Sequence, residues 1–130
     1  MVGDESKREA FEAGWSRAMS FPAPPPTAEG SFGEFVGEVG FAMVWNREQL
    51  SARERRILIL TVLAMFGRDD ITKLHMGSAL DLGDLSSDDL EDMAVTIAAY
   101  AGLPKGVAFN QLRQRLVTER ADAEPGVEER

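Results

Sequence analysis

Between Leu50 and Gly83 the chain reads LSARERRILILTVLAMFGRDDITKLHMGSALDLG. Ser51, followed three residues later by Glu54, is a capping box, in which serine and glutamate side chains each serve the other's backbone N–H. It predicts a helix start there. From Ile57 to Phe66 every position except Thr61 is apolar, and Gly67 marks the stop. A second helix follows, capped by Asp69 or Asp70 and closed by Gly83. Leu74, Ala79 and Leu82 are its expected core contacts. The first of these helices is apolar on all sides and must be covered on all sides. One layer of helices in a chain this short rarely surrounds a helix completely, so a second subunit is expected to cover one face. The pair also holds the only histidine, His75, and the cluster Arg53, Arg55 and Arg56.

Outward from this pair the periodicity stays helical. Residues from about Asp4 to Met19 place Phe11 and Trp15 on one face, with Lys7, Arg8, Glu12 and Arg17 elsewhere. The segment FPAPPPTAEG, Phe21–Gly30, has four prolines within five positions and cannot be helix. It reads as a stiff, extended connector. A helix over Ser31–Trp45 is predicted from Phe32, Phe35, Val39 and Met43. Its Gly33, Gly37 and Gly40 each cost about 1 kcal/mol in a helix relative to alanine, which implies close approach of a neighbouring helix or of a ligand. Ser86–Asp89 is the capping signal for a fifth helix carrying Leu90, Met93, Val95, Ile97 and Ala98 to Tyr100. Pro104, allowed at a first helical position, opens a sixth with Val107, Phe109, Leu112, Leu116 and Val117. No sustained β-branched alternation competes, so the fold class is all-α with about six helices.

Composition removes several classes of function. At 130 residues there is room for one core, burying about two-thirds of the surface the unfolded chain exposes. Fourteen basic and 22 acidic side chains give a net charge of −8, which repels nucleic acid and anionic lipid. With no cysteine there is no disulfide, thiolate metal site or CxxC redox pair, and one histidine makes a zinc site improbable. The charged amino terminus does not resemble a signal peptide, and the ten-residue run Ile57–Phe66 is too short to cross a bilayer. A cytoplasmic protein with no nucleic-acid or membrane partner is expected.

Few residues can carry chemistry. His75 exchanges a proton near neutral pH, though a lone histidine beside leucine is more often structural. Arg47 and Arg55, before and at a helix start, are suited to hold a carboxylate in bidentate geometry or to form ordinary ion pairs. Trp45 either walls a pocket or packs in the core. The acidic set Asp81, Asp84, Asp88, Asp89, Glu91 and Asp92 lacks calcium-loop spacing and reads as a solvated face.

Taken in order, VWNREQLSARERRILILTVLAMFGR, LHMGSALDLG and AAYAGLP resemble the carboxymuconolactone decarboxylase family. The matching positions include Val44, Trp45, Arg47, Leu50, Arg55, Gly67, Arg68, Leu74, His75, Gly83, Tyr100, Gly102 and Pro104. The resemblance implies an alkylhydroperoxidase D-like helical fold that assembles as a ring, a homotrimer or homohexamer. The chain divides into an amino-terminal helix and proline-rich connector (1–30), a family-like helical domain (31–118) and a tail (119–130) that its charge marks as frayed. The implied reaction removes CO2 from 4-carboxymuconolactone in aromatic-compound catabolism, with no metal and no cofactor, because the conjugated lactone carbonyl is its own electron sink. Arg47 and Arg55 would then bind the small anion and stabilise charge on the lactone oxygen, and His75 would deliver a proton. Trp45 and Tyr100 would contact the substrate. The cysteine-free chain excludes the peroxidase chemistry of the sister branch. Three positions depart from the family's pattern: Ile71 stands where a glutamate is usual, Arg56 where serine is common, and Val107 where asparagine is expected. A differently specific or non-catalytic small-ligand binder of the same family is the alternative.

Overall fold

A computed structural model describes residues 4–123. Six α-helices follow one another: α1 (Asp4–Ala18), α2 (Phe32–Val36), α3 (Ala52–Phe66), α4 (Asp69–Leu82), α5 (Ser87–Ala101) and α6 (Leu103–Asp122). No strand occurs among the described residues. The predicted capping box at Ser51 and Glu54 is formed in both directions, and a second joins Ser86 to Asp89. Gly67 and Gly83 end α3 and α4 in the left-handed conformation that a side chain would strain. At the start of α4 the cap is Arg68, not an aspartate: Asp69 and Asp70 lie in the first turn, and Arg68 folds onto Asp70. Pro104 follows Leu103 inside the first turn of α6.

The helix expected over Ser31–Trp45 is not uniform. After α2 the chain winds as a π-helix over Gly37–Met43. Phe32, Phe35 and Met43, the expected apolar face, are exposed, while Phe41 turns inward against Phe11 and Trp15. One extra residue per turn rotates the wheel, so a count at the α-helical period selects the wrong face. The glycines serve packing. A Cβ on Gly37 would touch the Phe11 ring, and one on Gly14 would sit 2.1 Å from the Phe41 carbonyl oxygen. That contact seats α1 directly on the π-helical turn.

The main core joins Leu60 of α3, Met76 and Ala79 of α4, Leu85, then Leu90, Ala94 and Ile97 of α5 with Phe109, Leu112 and Leu116 of α6. Each large side chain buried here contributes about 1.5–3 kcal/mol. Helices α5 and α6 form an antiparallel hairpin, drawn together where Gly106 meets Ala94 and Ala98. A smaller cluster of Ala18, Met19 and Trp45 ties α1 to the chain entering α3. Several expected core residues face outward instead: Leu74, Leu82, Val95, Val107 and Val117. In α4 the buried line is Thr72, His75, Met76 and Ala79. Helix α3 is buried only in part, with Leu58, Val62, Met65 and Phe66 open to solvent. Helix α6 continues to Asp122, past the boundary at 118 read from the charge pattern, because Glu119 pairs with Lys73 and Arg120 with Asp81. Residues 124–130 of the expected tail lie outside the described residues.

Candidate active site

The predicted site residues do not all meet. His75 projects from the buried line of α4 and is 8% exposed. Trp45, 3% exposed, lies nearly parallel to its ring, with centroids 6.3 Å apart and 13° between planes. Arg55 is buried too, but its Nη2 donates to the carbonyl oxygens of Arg47 (3.0 Å) and Leu50 (3.4 Å). It therefore pins the loop before α3 rather than reaching the imidazole. The Arg47 side chain is exposed, and Tyr100, 91% exposed, stands at the far end of α5. Within one chain the expected pocket of His75, Arg47 and Arg55 is thus not formed.

The residue that does meet His75 is Arg56, which is 0% exposed. It sits one α-helical turn before the buried Leu60 on the core face of α3. Its Nε and Nη2 donate to Asp84 Oδ2 at 3.2 and 3.0 Å. Nη1 donates to the Ala18 carbonyl at 2.8 Å, and Nη2 to that of Arg17 at 3.3 Å. The guanidinium carbon lies 4.5 Å from the centre of the Trp45 ring. His75 Nδ1 is 3.2 Å from Nη1. One buried cation thus joins the end of α1, the entry to α3, the middle of α4 and the turn before α5.

The polarity of the Arg56–His75 contact follows from chemistry. A guanidinium has donors and no acceptor, so Nδ1 must accept and carries no proton. In the neutral ring the proton is then on Nε2. Burial first, and the adjacent Arg56 charge second, push the His75 pKa down to about 4, so the ring is neutral at pH 7. His75 Nε2–H and Trp45 Nε1–H have no acceptor among the described residues. No sealed side-chain nitrogen there lacks a partner, so both groups reach the surface. Ring N–H donors suit an oxygen-bearing ligand. The Arg56 pKa is lowered by burial against the opposing pull of Asp84.

The acidic set is not simply a solvated face. Asp84, placed in a solvated acidic face, is the counter-ion of Arg56, with its side chain 14% exposed. Others of that set are paired across elements as well: Asp81 with Arg120, Asp89 with Arg53 and Glu91 with Arg113. No local signal marks Arg56: it lies in line with the buried Leu60, but in a run apolar at nearly every position that register does not stand out from that of Arg55. Among the described residues no group of carboxylates and imidazole is placed to hold a metal ion, and no helix is long and apolar enough to cross a membrane. Neither the cavity of about 530 Å3 between α1 and the proline connector nor that of about 230 Å3 between α3, α4 and α6 is lined by His75.

The described residues thus form an all-helical domain around a buried cluster of Arg56, His75 and Trp45. The profile of the Carboxymuconolactone decarboxylase family matches residues 31–114, and the chain belongs to that family. It is similar to a 4-carboxymuconolactone decarboxylase of Acinetobacter baylyi (strain ATCC 33305 / BD413 / ADP1), with 29% identity over 85 residues, 65% of this chain. The match spans 63% of that relative's length. No solved structure matches significantly.

Proposed function

We propose that the protein is a cofactor-free decarboxylase acting on 4-carboxymuconolactone or a related small anionic lactone. The observation that carries this reading is the neutral imidazole, with its Nε2–H unpaired at the surface, inside the family's matched region. In such a substrate the bond to the departing carboxylate breaks, and its electron pair moves through the double bond onto the lactone oxygen. CO2 leaves, and a proton closes the sequence at carbon. The protein has to hold the anion, shelter the charge that grows on oxygen, and exclude competing water. His75 and Trp45 lie at the reacting end. Arg47, which makes no ion pair among the described residues, takes a carboxylate at the rim, and Arg55 fixes the backbone of its loop.

A second copy of the chain completes the pocket in this reading. Leu58, Val62 and Phe66 form an exposed apolar stripe on α3, which supports self-association as a trimer or hexamer of a cytoplasmic protein. Sedimentation velocity is expected to show an oligomer that Val62→Lys dissociates; a monomer at micromolar concentration removes this part. The deciding assay is CO2 release from 4-carboxymuconolactone by the wild type and by His75→Ala. Turnover that drops by about 100-fold or more in the variant supports the reading. Equal turnover in both removes His75 from the site.

A non-catalytic binder is favoured by a different observation. Ile71 is half-buried and Val107 exposed, so neither brings a polar group to His75, and Arg55 is engaged by the carbonyls of Arg47 and Leu50. That reading predicts a rise in melting temperature with the lactone and no CO2.

A further inference from the structure

The geometry points to Arg56 as a positioning residue that locks His75 into the Nε2–H form, so that the imidazole meets its ligand as a neutral hydrogen-bond donor to oxygen and is not the source of the proton that ends on carbon. The second half rests on the decarboxylase reading above; the first half stands on the fold alone.

The lock has three parts. Arg56 cannot rotate away, because its nitrogens are held by Asp84 and by the carbonyls of Arg17 and Ala18. Two of these anchors lie in the amino-terminal segment, outside the residues matched by the family profile. It cannot accept a hydrogen bond, so an Nδ1–H tautomer would set two donors against each other 3.2 Å apart. It cannot tolerate an imidazolium, which would bring a second positive charge to the same contact. The charged groups around the ring are Arg56 from α3 and, beyond it, Asp84 from the turn after α4. Asp84 is held by the guanidinium. From the α1 side the Arg17 side chain is directed to Trp45 O and Asn46 Oδ1. From α4 itself Ser78, near in sequence, is engaged by Ser20. None of these contacts offers Nδ1 a carboxylate partner.

The chemical consequence follows. A neutral Nε2–H that gave its proton to carbon would leave an imidazolate beside the surface, which is far too basic to form at neutral pH. The same N–H pointed at the lactone oxygen loses nothing and strengthens as negative charge accumulates there. The proton reaching carbon then comes from solvent. The electron count is unchanged: the pair from the broken C–CO2 bond rests on the oxygen until that proton arrives.

One histidine in the chain makes the test direct. Protein labelled with 15N-histidine gives a single imidazole spin system, whose two nitrogen shifts report the tautomer. The expected spectrum has a bare Nδ1 and a protonated Nε2, unchanged from pH 8 to 5. An Nδ1–H ring, a tautomer mixture or titration near 6.5 overturns the lock. Arg56→Lys, still only a donor, is expected to keep the Nε2–H spectrum, and Arg56→Met to mix tautomers and titrate higher; if Arg56→Met does not fold, the wild-type spectrum decides alone. In turnover, kcat/KM is expected to show no limb near pH 6.5, and a limb there that vanishes in His75→Gln overturns the donor role. Failure of 4-carboxymuconolactone to react, with the expected spectrum in place, removes the decarboxylase reading and leaves the lock standing.

Discussion

Arg56 carries a full charge with no solvent contact, and everything around it is arranged to neutralise that charge. Such a pair adds little stability over an apolar substitute, yet breaking it from one side leaves a buried ion. Asp84→Asn removes the counter-charge from a guanidinium that is 0% exposed, and is expected to lower unfolding free energy by about 3–5 kcal/mol. Arg56→Met strands Asp84 and two carbonyls; because that carboxylate keeps some water contact, the loss should be the smaller of the two. The double variant should lose clearly less than the sum. Urea unfolding of the four proteins closes the cycle, and strict additivity would mean that the two side chains do not interact as described. Trp45→Phe is a milder test at the same place: it keeps the ring under Arg56 and removes the indole N–H. Stability should change by less than about 1.5 kcal/mol, while affinity for an oxygen-bearing ligand falls by roughly 5–30-fold, read by calorimetric titration.

At the scale of the helices, ends were legible and faces were not. Caps are local chemistry: Ser51 with Glu54, Ser86 with Asp89, and the glycines after α3 and α4 each act within a few residues. A face depends on what lies opposite. Phe35 and Phe41 are equally apolar, and only the π-helical turn seated on Gly14 decides which one is covered. Likewise nothing near Leu74 announces that the buried line of α4 runs through Thr72 and Met76 instead. The α5–α6 hairpin shows how strict such a fit can be. A Cβ on Gly106 would lie 2.4 Å from that of Ala98 and 2.8 Å from the Ala94 carbonyl, a contact that backbone must absorb. Gly106→Ala is expected to cost about 1–3 kcal/mol despite its better helix propensity, and Ala98→Gly should restore part of it. Thermal melts showing Gly106→Ala more stable than the wild type would mean that the two helices stand farther apart.

Over the whole molecule, the candidate site was legible as a set of residue types and illegible as a geometry. His75 and Trp45 were visible because each is rare in this chain, and they do meet. Arg55 and Arg56 are neighbours in a cluster, and no local signal says which turns inward; that is settled by Asp84, 28 positions away, and by the end of α1. The same burial sets the pH response. In the unfolded chain His75 titrates near 6.5, while in the fold it resists protonation until about pH 4. Between these values the unfolded state binds more protons, so stability falls as pH falls. It is complete above pH 6.5 and should decline by roughly 3 kcal/mol in all by pH 4. The ion-paired carboxylates Asp70, Asp81 and Asp89, whose pKa values are lowered, begin to lose their contribution as pH falls through the ordinary carboxylate range and lose the rest below it. His75→Gln should therefore flatten the stability curve between pH 6.5 and 4.5 while leaving the acid limb in place. Urea midpoints at half-unit steps of pH measure this. An unchanged slope in the variant would show that the acid sensitivity of the fold arises elsewhere, and that the imidazole is not held neutral by the cluster around Arg56.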